Sequence, residues 1–366
     1  MLPDGELLTA LGADLAALTA LNAPSGAEQP VVARLRDLFA PLADAVAVDQ
    51  TGNLMATRGG PEGAPHVVVS AHSDEIGALV AAIEPDGFLR LSLVGGAQPR
   101  LLEGRAVAVG DHPGVIGARS GHLQPRGAAV PAASVEDLYA DLGVDSAAEV
   151  EAMGVGIGDP VVVLSDLRPL AGTRVAGKGI DNRAGCVVLM HLLRRLAGRP
   201  LPCRLTALVT TQEEVGLRGA QAAYDRLRPD LAIVVDTAPA GGTPDARGIA
   251  YPVRIGHGVL IQPANGGGER GFLQPRAARD ALVRAARGAG APYQLAVGGG
   301  GVTDAAAAHL AAGGIATLQV QIPRRYSHSP VEVLDLRDLA AALRLVQALV
   351  ERPPTPDDLA FLPSGS

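Results

Sequence analysis

The chain has 366 residues, room for about two domains, and its 48% hydrophobic and 19% charged residues mark a folded globular protein and not a disordered one. A net charge of −7 and a pI near 5.6 give no electrostatic case for nucleic acid or for an anionic membrane surface. The apolar runs are broken by Gly or charge well short of ~20 residues, so none is expected to span a membrane.

Two cysteines, Cys186 and Cys203, sit in apolar surroundings. They cannot form a Cys-rich zinc site, and two buried thiols in so long a chain suit a reducing compartment. The N-terminus "MLPDGELLTALGADL" has no basic n-region, so no secretory signal is read there. A cytoplasmic protein is expected. Lys178 is the single lysine; every other fixed cation is arginine.

In chain order, "LLTALGADLAALTAL" and "EQPVVARLRDLFAPL" space apolar residues by three and four and predict helices, with "NAPSGAEQP" as a break. "PHVVVSAHSDEIG" is a β-branched run ending in polar residues, a buried parallel strand. "GALVAAIEPDGFLRLSLVGG" predicts a hairpin turning at "EPDG", and "RAVAVGDHPGVIGARSG" a second strand pair around "DHPG". "SVEDLYADLG" and "SAAEVEAMG" predict one or two short helices, and "DPVVVLSDL" a strand. From "GTRVAGKGIDNRAG" onward helix and strand alternate: helix "GCVVLMHLLRRLAG", strand "CRLTALVTT", helix "GLRGAQAAYDRL", strand "LAIVVD", helix "RAARDALVRAARGAG". Then come a helix starting near Thr303 and Asp304, the strand "IATLQVQI" and the helix "DLRDLAAALRLVQALVE". The Gly run at 298–301 predicts a tight loop, and the Pro-rich tail "RPPTPDDLAFLPSGS" predicts fraying. The fold class is therefore α/β: a mostly parallel-stranded mixed sheet flanked by helices. It is carried by residues 1–75 and 171–366, and a small β-rich unit is inserted at 76–170.

Strand ends collect the chemistry. "VVVSAHSDE" ends in His72 and Asp74, "ALVTTQEE" in Glu213 and Glu214, "AIVVD" in Asp236, and "QVQIPRRYSHSP" reaches His328 after a short loop. Asp181 opens a helix in "KGIDNRAG". Taken singly, each has a commoner structural explanation: a polar strand cap, a helix N-cap, a solvated turn, a ring packed on Tyr326. Taken together they fall where ligands bind, outside the carboxyl ends of strands in an open α/β sheet. Imidazole and carboxylate without thiolate suit Zn²⁺, Mn²⁺ or Co²⁺, and the donors suffice for two ions. Two cations would also let adjacent Glu213 and Glu214 both stay charged. His191, on an apolar helix face, is expected to be structural. His122 lies in the inserted unit, from which it could reach a site, but a structural role is expected for it too.

These segments resemble the M42 family of dinuclear metallo-aminopeptidases, which includes glutamyl and tetrahedral (TET) aminopeptidases. The resemblance runs over nearly the whole chain and rests on seven motifs in order: "APSGAEQPV", "AHSDEIG", "GKGIDNRAG", "TTQEEVGLRGA", "VVDTAPAGGTP", "GGGVTDAAAAH" and "IPRRYSHSPVEV". It implies a zinc-peptidase type of sheet and a small β-barrel-like dimerisation domain for the insert. It implies two divalent metal ions per chain, zinc first, with cobalt or manganese as alternatives. Asp181 would bridge them. His72 and Asp236 would complete one site, and Glu214 and His328 the other. Glu213 would be the general base, taking a proton from water activated by the two metals, and Asp74 would hold the His72 ring in its ligating tautomer. Removal of N-terminal residues from short peptides is the implied activity. A deacylase or amidase acting on N-acyl amino acids, or a non-catalytic shell-forming homologue, is the alternative. Self-association to dimers and a dodecamer is implied. The sequence departs from the family pattern at Gly242, His257 and Asn265, which leaves the preferred N-terminal residue open. Arg254, Arg270 and Arg324 are the candidates for an acid-binding pocket.

Overall fold

The computed structural model describes residues 4–118, 122, 134–246, 251–266, 271–297 and 301–362. Its strands, in chain order, begin with β1 (Ala45–Val48), β2 (Leu54–Arg58) and β3 (His66–His72). Next come β4 (Gly77–Ile83), β5 (Leu89–Val94), β6 (Ala106–Val109), β7 (His112–Ile116), β8 (Tyr139–Asp141) and β9 (Pro160–Val163). The rest are β10 (Arg168–Pro169), β11 (Arg174–Gly177), β12 (Arg204–Thr210), β13 (Leu231–Pro239), β14 (Val259–Ile261), β15 (Tyr293–Leu295), β16 (Thr317–Arg325) and β17 (Glu332–Asp335).

Nine of these strands run in one sheet in the order β1-β2-β12-β3-β13-β16-β17-β11-β10, with β14 on β16 and β15 on β14. The central four, β12, β3, β13 and β16, are parallel, and antiparallel strands flank them on both sides. All seven residues of β3 are buried. Val67 and Val69 enter one core, with the helices Asp4–Thr19, Ile180–Leu196 and Leu336–Glu351; Val68 enters the other, with Tyr224 and Ala305. A strand covered on both faces needs apolar residues on both, which is why these runs do not alternate. In Ile180–Leu196 every residue but Arg194 and Arg195 is buried, so this helix is the centre of the first core.

Between Gly77 and Val163 the chain closes a separate antiparallel barrel, β4-β5-β8-β7-β6-β9, with its own core around Leu89, Val107, Ile116 and Val161. It returns to the main sheet at Arg168.

Several expectations change. "SVEDLYADLG" is not a helix. Ser134 and Asp137 cap a single 3₁₀ turn, and Tyr139–Asp141 pairs with β5 and β7, because closing the barrel satisfies more backbone than one isolated turn. The β6–β7 turn is Gly110–Asp111, since Val109 already faces His112, so "HPG" belongs to β7. β1 and β2 fall where the sequence reading places no element; β1 is short and mostly exposed and carries no apolar contrast. β13 and β16 run past the predicted ends, to Pro239 and Arg325. The helix at Asp304 stops at Ala308. The tail carries one capped turn, Pro356–Leu359, with Thr355 and Asp358 in a capping box. Residues 298–300 of the Gly run lie outside the described residues.

Candidate metal centre

β3 and β12 are parallel and in register, His72 opposite Thr210. Beyond that pair both chains leave the sheet. Gln212 takes a positive φ of 54°, which ends strand geometry before Glu213. Asp74, fully buried, then holds the turn: its Oδ1 accepts the Glu213 amide at 3.0 Å and its Oδ2 the Glu214 amide at 3.1 Å. Ser25 donates to the same carboxylate at 2.6 Å. Neighbouring residues of a strand face opposite ways. Only because the strand has ended do both glutamates reach one cavity.

The other groups arrive from β13 (Asp236), from the loop after β16 (His328) and from the start of the helix Ile180–Leu196 (Asp181), where Asp181 and Asn182 depart from helical dihedrals. His72 Nε2 lies 3.4 Å from Asp181 Oδ1 and 3.6 Å from Asp236 Oδ1. His328 Nε2 lies 3.3 Å from Asp181 Oδ2 and 3.3 Å from Glu214 Oε1. Asp181 thus turns one oxygen to each histidine. Hydrogen bonds of this kind run at about 2.7–3.2 Å. Donors at the corners of a tetrahedron around an ion about 2.1 Å away stand about 3.4 Å apart, so the spacing fits two ions better than direct pairing. Glu214 Oε1 is buried and accepts no hydrogen bond, an orphan that a cation would satisfy. Glu213 stands further back, 3.9 Å from His72 Nε2. On its other ring nitrogen, His72 Nδ1 faces the Asp74 carbonyl at 3.2 Å and its carboxylate at 3.4 Å, which leaves Nε2 free to ligate.

The site is strongly acidic. Burial raises the Glu213 carboxyl well above its usual range, and the charges of Asp236, Asp304 and Glu214 add to that. Burial alone would lower both histidines, but the surrounding carboxylates override it: Glu213 and Asp236 raise His72 well above the ordinary value, and Asp181 and Glu214 bring His328 to about 10. Burial would also raise Asp181, yet Arg324 beside it holds it well below the usual carboxylate range. A cluster that pulls protons onto two imidazoles is one that divalent cations would stabilise.

Sequence reasoning missed two organising groups. Arg324, a candidate for an acid-binding pocket, is instead buried inside the centre, paired with Asp181 and, at 3.1 Å, with Glu332. Its Nε donates to Thr237 at 2.7 Å. Glu332, also buried, accepts the amides of both Asp181 (3.1 Å) and His328 (3.0 Å), so it does for those two what Asp74 does for the glutamates. Its place four residues after His328 in "HSPVE" was the available signal. Asp304 is a third buried carboxyl, pushed up to about 7 by burial and held by the Thr210 hydroxyl. Lys178 meets Glu75 at 3.0 Å, and Arg183 joins the same carboxylate at 3.4 Å.

His191 pairs with Asp14 at 2.8 Å, away from the centre, and His122 stands exposed. Asn265 is structural, bonding Gln319 and the Phe272 amide, and His257 is exposed. Gly242 has φ +85° and no room for a Cβ beside Arg254, so this backbone requires glycine. Arg270 lies outside the described residues. A cleft of about 670 Å³ opens over the centre, lined by His72, Glu213, Asp236, Tyr251, Arg324 and His328 among others.

Residues 52–345 match the family model described as M42 glutamyl aminopeptidase. A glutamyl aminopeptidase of Lactococcus lactis subsp. cremoris is 31% identical over 343 residues, covering 91% of this chain and 94% of that one. A lysyl aminopeptidase of Pyrococcus furiosus is 30% identical, covering 86% and 89%. The TET1 peptidase of Pyrococcus horikoshii, described as able to assemble into a tetrahedron or a large octahedral shell, superposes with a TM-score of 0.84 at 30% identity, covering 93% and 99%.

Proposed function

The chain belongs to the M42 glutamyl aminopeptidase family, and from that membership we propose that it is a metal-dependent aminopeptidase working with two divalent ions, zinc first, cobalt or manganese as alternatives. The observation that carries the two-ion reading is Asp181, whose two oxygens each face a different histidine–carboxylate set. His72 and Asp236 would hold one ion with Asp181 Oδ1, and His328 and Glu214 the other with Asp181 Oδ2.

When bound, such ions supply Lewis acidity towards a peptide carbonyl and lower the pKa of water. The remaining work falls to the chain. Glu213 stands 3.9 Å from His72 Nε2, beyond hydrogen-bond range, and so has a carboxylate oxygen free to take the water's proton and give it to the leaving amine. Asp74 and Glu332 hold the backbone that aims these groups. The excess of carboxylate around both histidines favours a cationic α-amine, which makes the activity that of an exopeptidase.

Glu213→Gln tests this. Turnover of an aminoacyl p-nitroanilide should fall about 10²–10⁴-fold while bound metal is unchanged; full turnover in the variant would sink the base assignment. A free peptide should be cleaved and its N-acetylated form spared; the reverse would favour a deacylase.

The barrel is proposed as the self-association unit of dimers and a dodecamer; the tetrahedral and octahedral assemblies of the TET1 relative and Ile157, which is 74% exposed beside β9, support this reading. Cys186 and Cys203 are free and buried, in keeping with a reducing cytoplasm. Among the described residues no helix is long and apolar enough to cross a membrane.

A further inference from the structure

Four successive amides beyond the end of β12 are taken by side chains from three distant segments. Asn53 Oδ1 accepts the Thr211 amide at 3.1 Å, Glu28 Oε1 the Gln212 amide at 3.0 Å, and Asp74 the amides of Glu213 and Glu214. All three acceptors are buried. The carbonyls of Thr211, Gln212 and Glu213 accept amides further along, from Gly219, from Arg218, and from both Gly216 and Leu217. The turn is therefore shaped from outside, because a strand end that has left its sheet must find acceptors elsewhere. The positive φ at Gln212 costs a non-glycine residue about 1–2 kcal/mol and lasts only where the surroundings impose it.

Glu28 is the least expected of the three acceptors. It opens the helix Gln29–Phe39, where a polar side chain ordinarily caps the first turn, yet it makes no capping bond to that helix. It reaches instead to Gln212, 184 residues on. Ser25, three residues before it, donates to Asp74, so both polar side chains of "SGAE" converge on one turn. A carboxyl is costly to bury; the amides this one meets are its own and those of Gly26 and Gln212.

Resting on the aminopeptidase reading, we infer that Glu28 is a positioning residue for the proposed base, Glu213: its carboxylate fixes the Gln212 peptide, and with it the direction in which Glu213 leaves the chain, while taking no part in holding metal. Glu28 holds the peptide on one side of the strained Gln212 φ, and Asp74 the peptide on the other. Without Glu28 that φ can relax, and the residue it carries next is Glu213. Glu214 stands one peptide further on and keeps its own amide on Asp74. A base must come within about 2.6–3.2 Å of the proton it takes, and a misplacement of about 1 Å can cost 10²-fold.

The test uses the full chain reconstituted with zinc and a panel of aminoacyl p-nitroanilides. Glu28→Leu nearly keeps the volume and removes the acceptor. Its kcat should fall about 10–100-fold, at a KM within about twofold of the parent's. Zinc affinity, read by titrating the apoprotein against a chromophoric chelator, should stay near the parent's, without the loss of about 10–100-fold expected for a group that supports a ligand. Glu28→Gln keeps an acceptor oxygen for the Gln212 amide and should recover most of the lost turnover. In a Glu213→Gln background Glu28→Leu should cost nothing further, because groups that act as a unit are not additive. A general loss of packing would instead multiply with Glu213→Gln and carry zinc binding with it. If Glu28→Leu does not fold, Glu28→Asp replaces it: the charge stays, the oxygen is withdrawn by one methylene, and turnover should be slower than in Glu28→Gln. Full turnover in Glu28→Leu overturns the assignment, as does a loss that multiplies with Glu213→Gln, zinc lost in step with activity, or Glu28→Gln no better than the variant it is compared with. Each of these leaves the parent an aminopeptidase. A parent that cleaves no anilide overturns the aminopeptidase reading, and the Glu28 assignment with it.

Discussion

Asp74→Asn isolates the group that aims both glutamates. The native carboxylate takes the Glu213 amide on one oxygen and the Glu214 amide and Ser25 hydroxyl on the other, with His72 Nδ1 alongside. Asparagine keeps one acceptor oxygen. Whichever way its amide turns, its NH₂ confronts one backbone N–H; the Ser25 hydroxyl can rotate to accept, but an amide cannot. One buried N–H is then orphaned, at about 1–3 kcal/mol. That strain falls on the loop presenting Glu214, so zinc affinity should drop about 10–100-fold, the usual size for such a supporting group. The two figures agree, since about 1.4 kcal/mol is tenfold. Titration of the apoprotein with zinc against a chromophoric chelator measures the loss directly. Ser25→Ala, which removes only the hydroxyl, should cost less. If Asp74→Asn bound zinc as the parent does, Asp74 would not be organising the centre.

Glu332→Gln should weaken zinc at the His328–Glu214 set more than at the His72–Asp236 set, because only the first includes a residue whose amide Glu332 holds besides the shared Asp181; equal loss at both, read by stepwise metal titration, would refute this. His66 supplies a pH test away from the centre. Burial, aided by Arg204, lowers it to about 4, so the folded state keeps it neutral while the unfolded chain is protonated below about 6.5. Its contribution is complete above that value and is lost as pH falls from about 6.5 to 4, at most about 3 kcal/mol. Urea unfolding of His66→Gln over this window should show a flatter pH slope than the parent, and parallel slopes would refute the assignment. If the barrel mediates assembly, Ile157→Glu should lower the mass seen by light scattering towards 37.1 kDa; an unchanged mass would place the interface elsewhere.

The apolar runs of β3, β12, β13 and β16, and the polar residues that follow them, could be read from the chain because a doubly covered strand must be apolar throughout and chemistry gathers beyond its end. The same rule places His72, Asp181, Glu213, Glu214, Asp236 and His328 in one region. The sequence of β8 suits helix as well as strand, because in so short a run its apolar spacing fits either period. What spacing cannot carry is contact between distant segments. Asp74 meets the Glu213 amide across 139 residues, and Glu332 meets the Asp181 amide across 151. Arg324 looked like a free cation until the fold buried it against Asp181. The adjacent glutamates show the division most clearly. Their chemistry was legible in the sequence; their common aim was decided by a turn at Gln212 and a carboxylate from another strand end, because a buried amide must find its acceptor wherever the fold brings one.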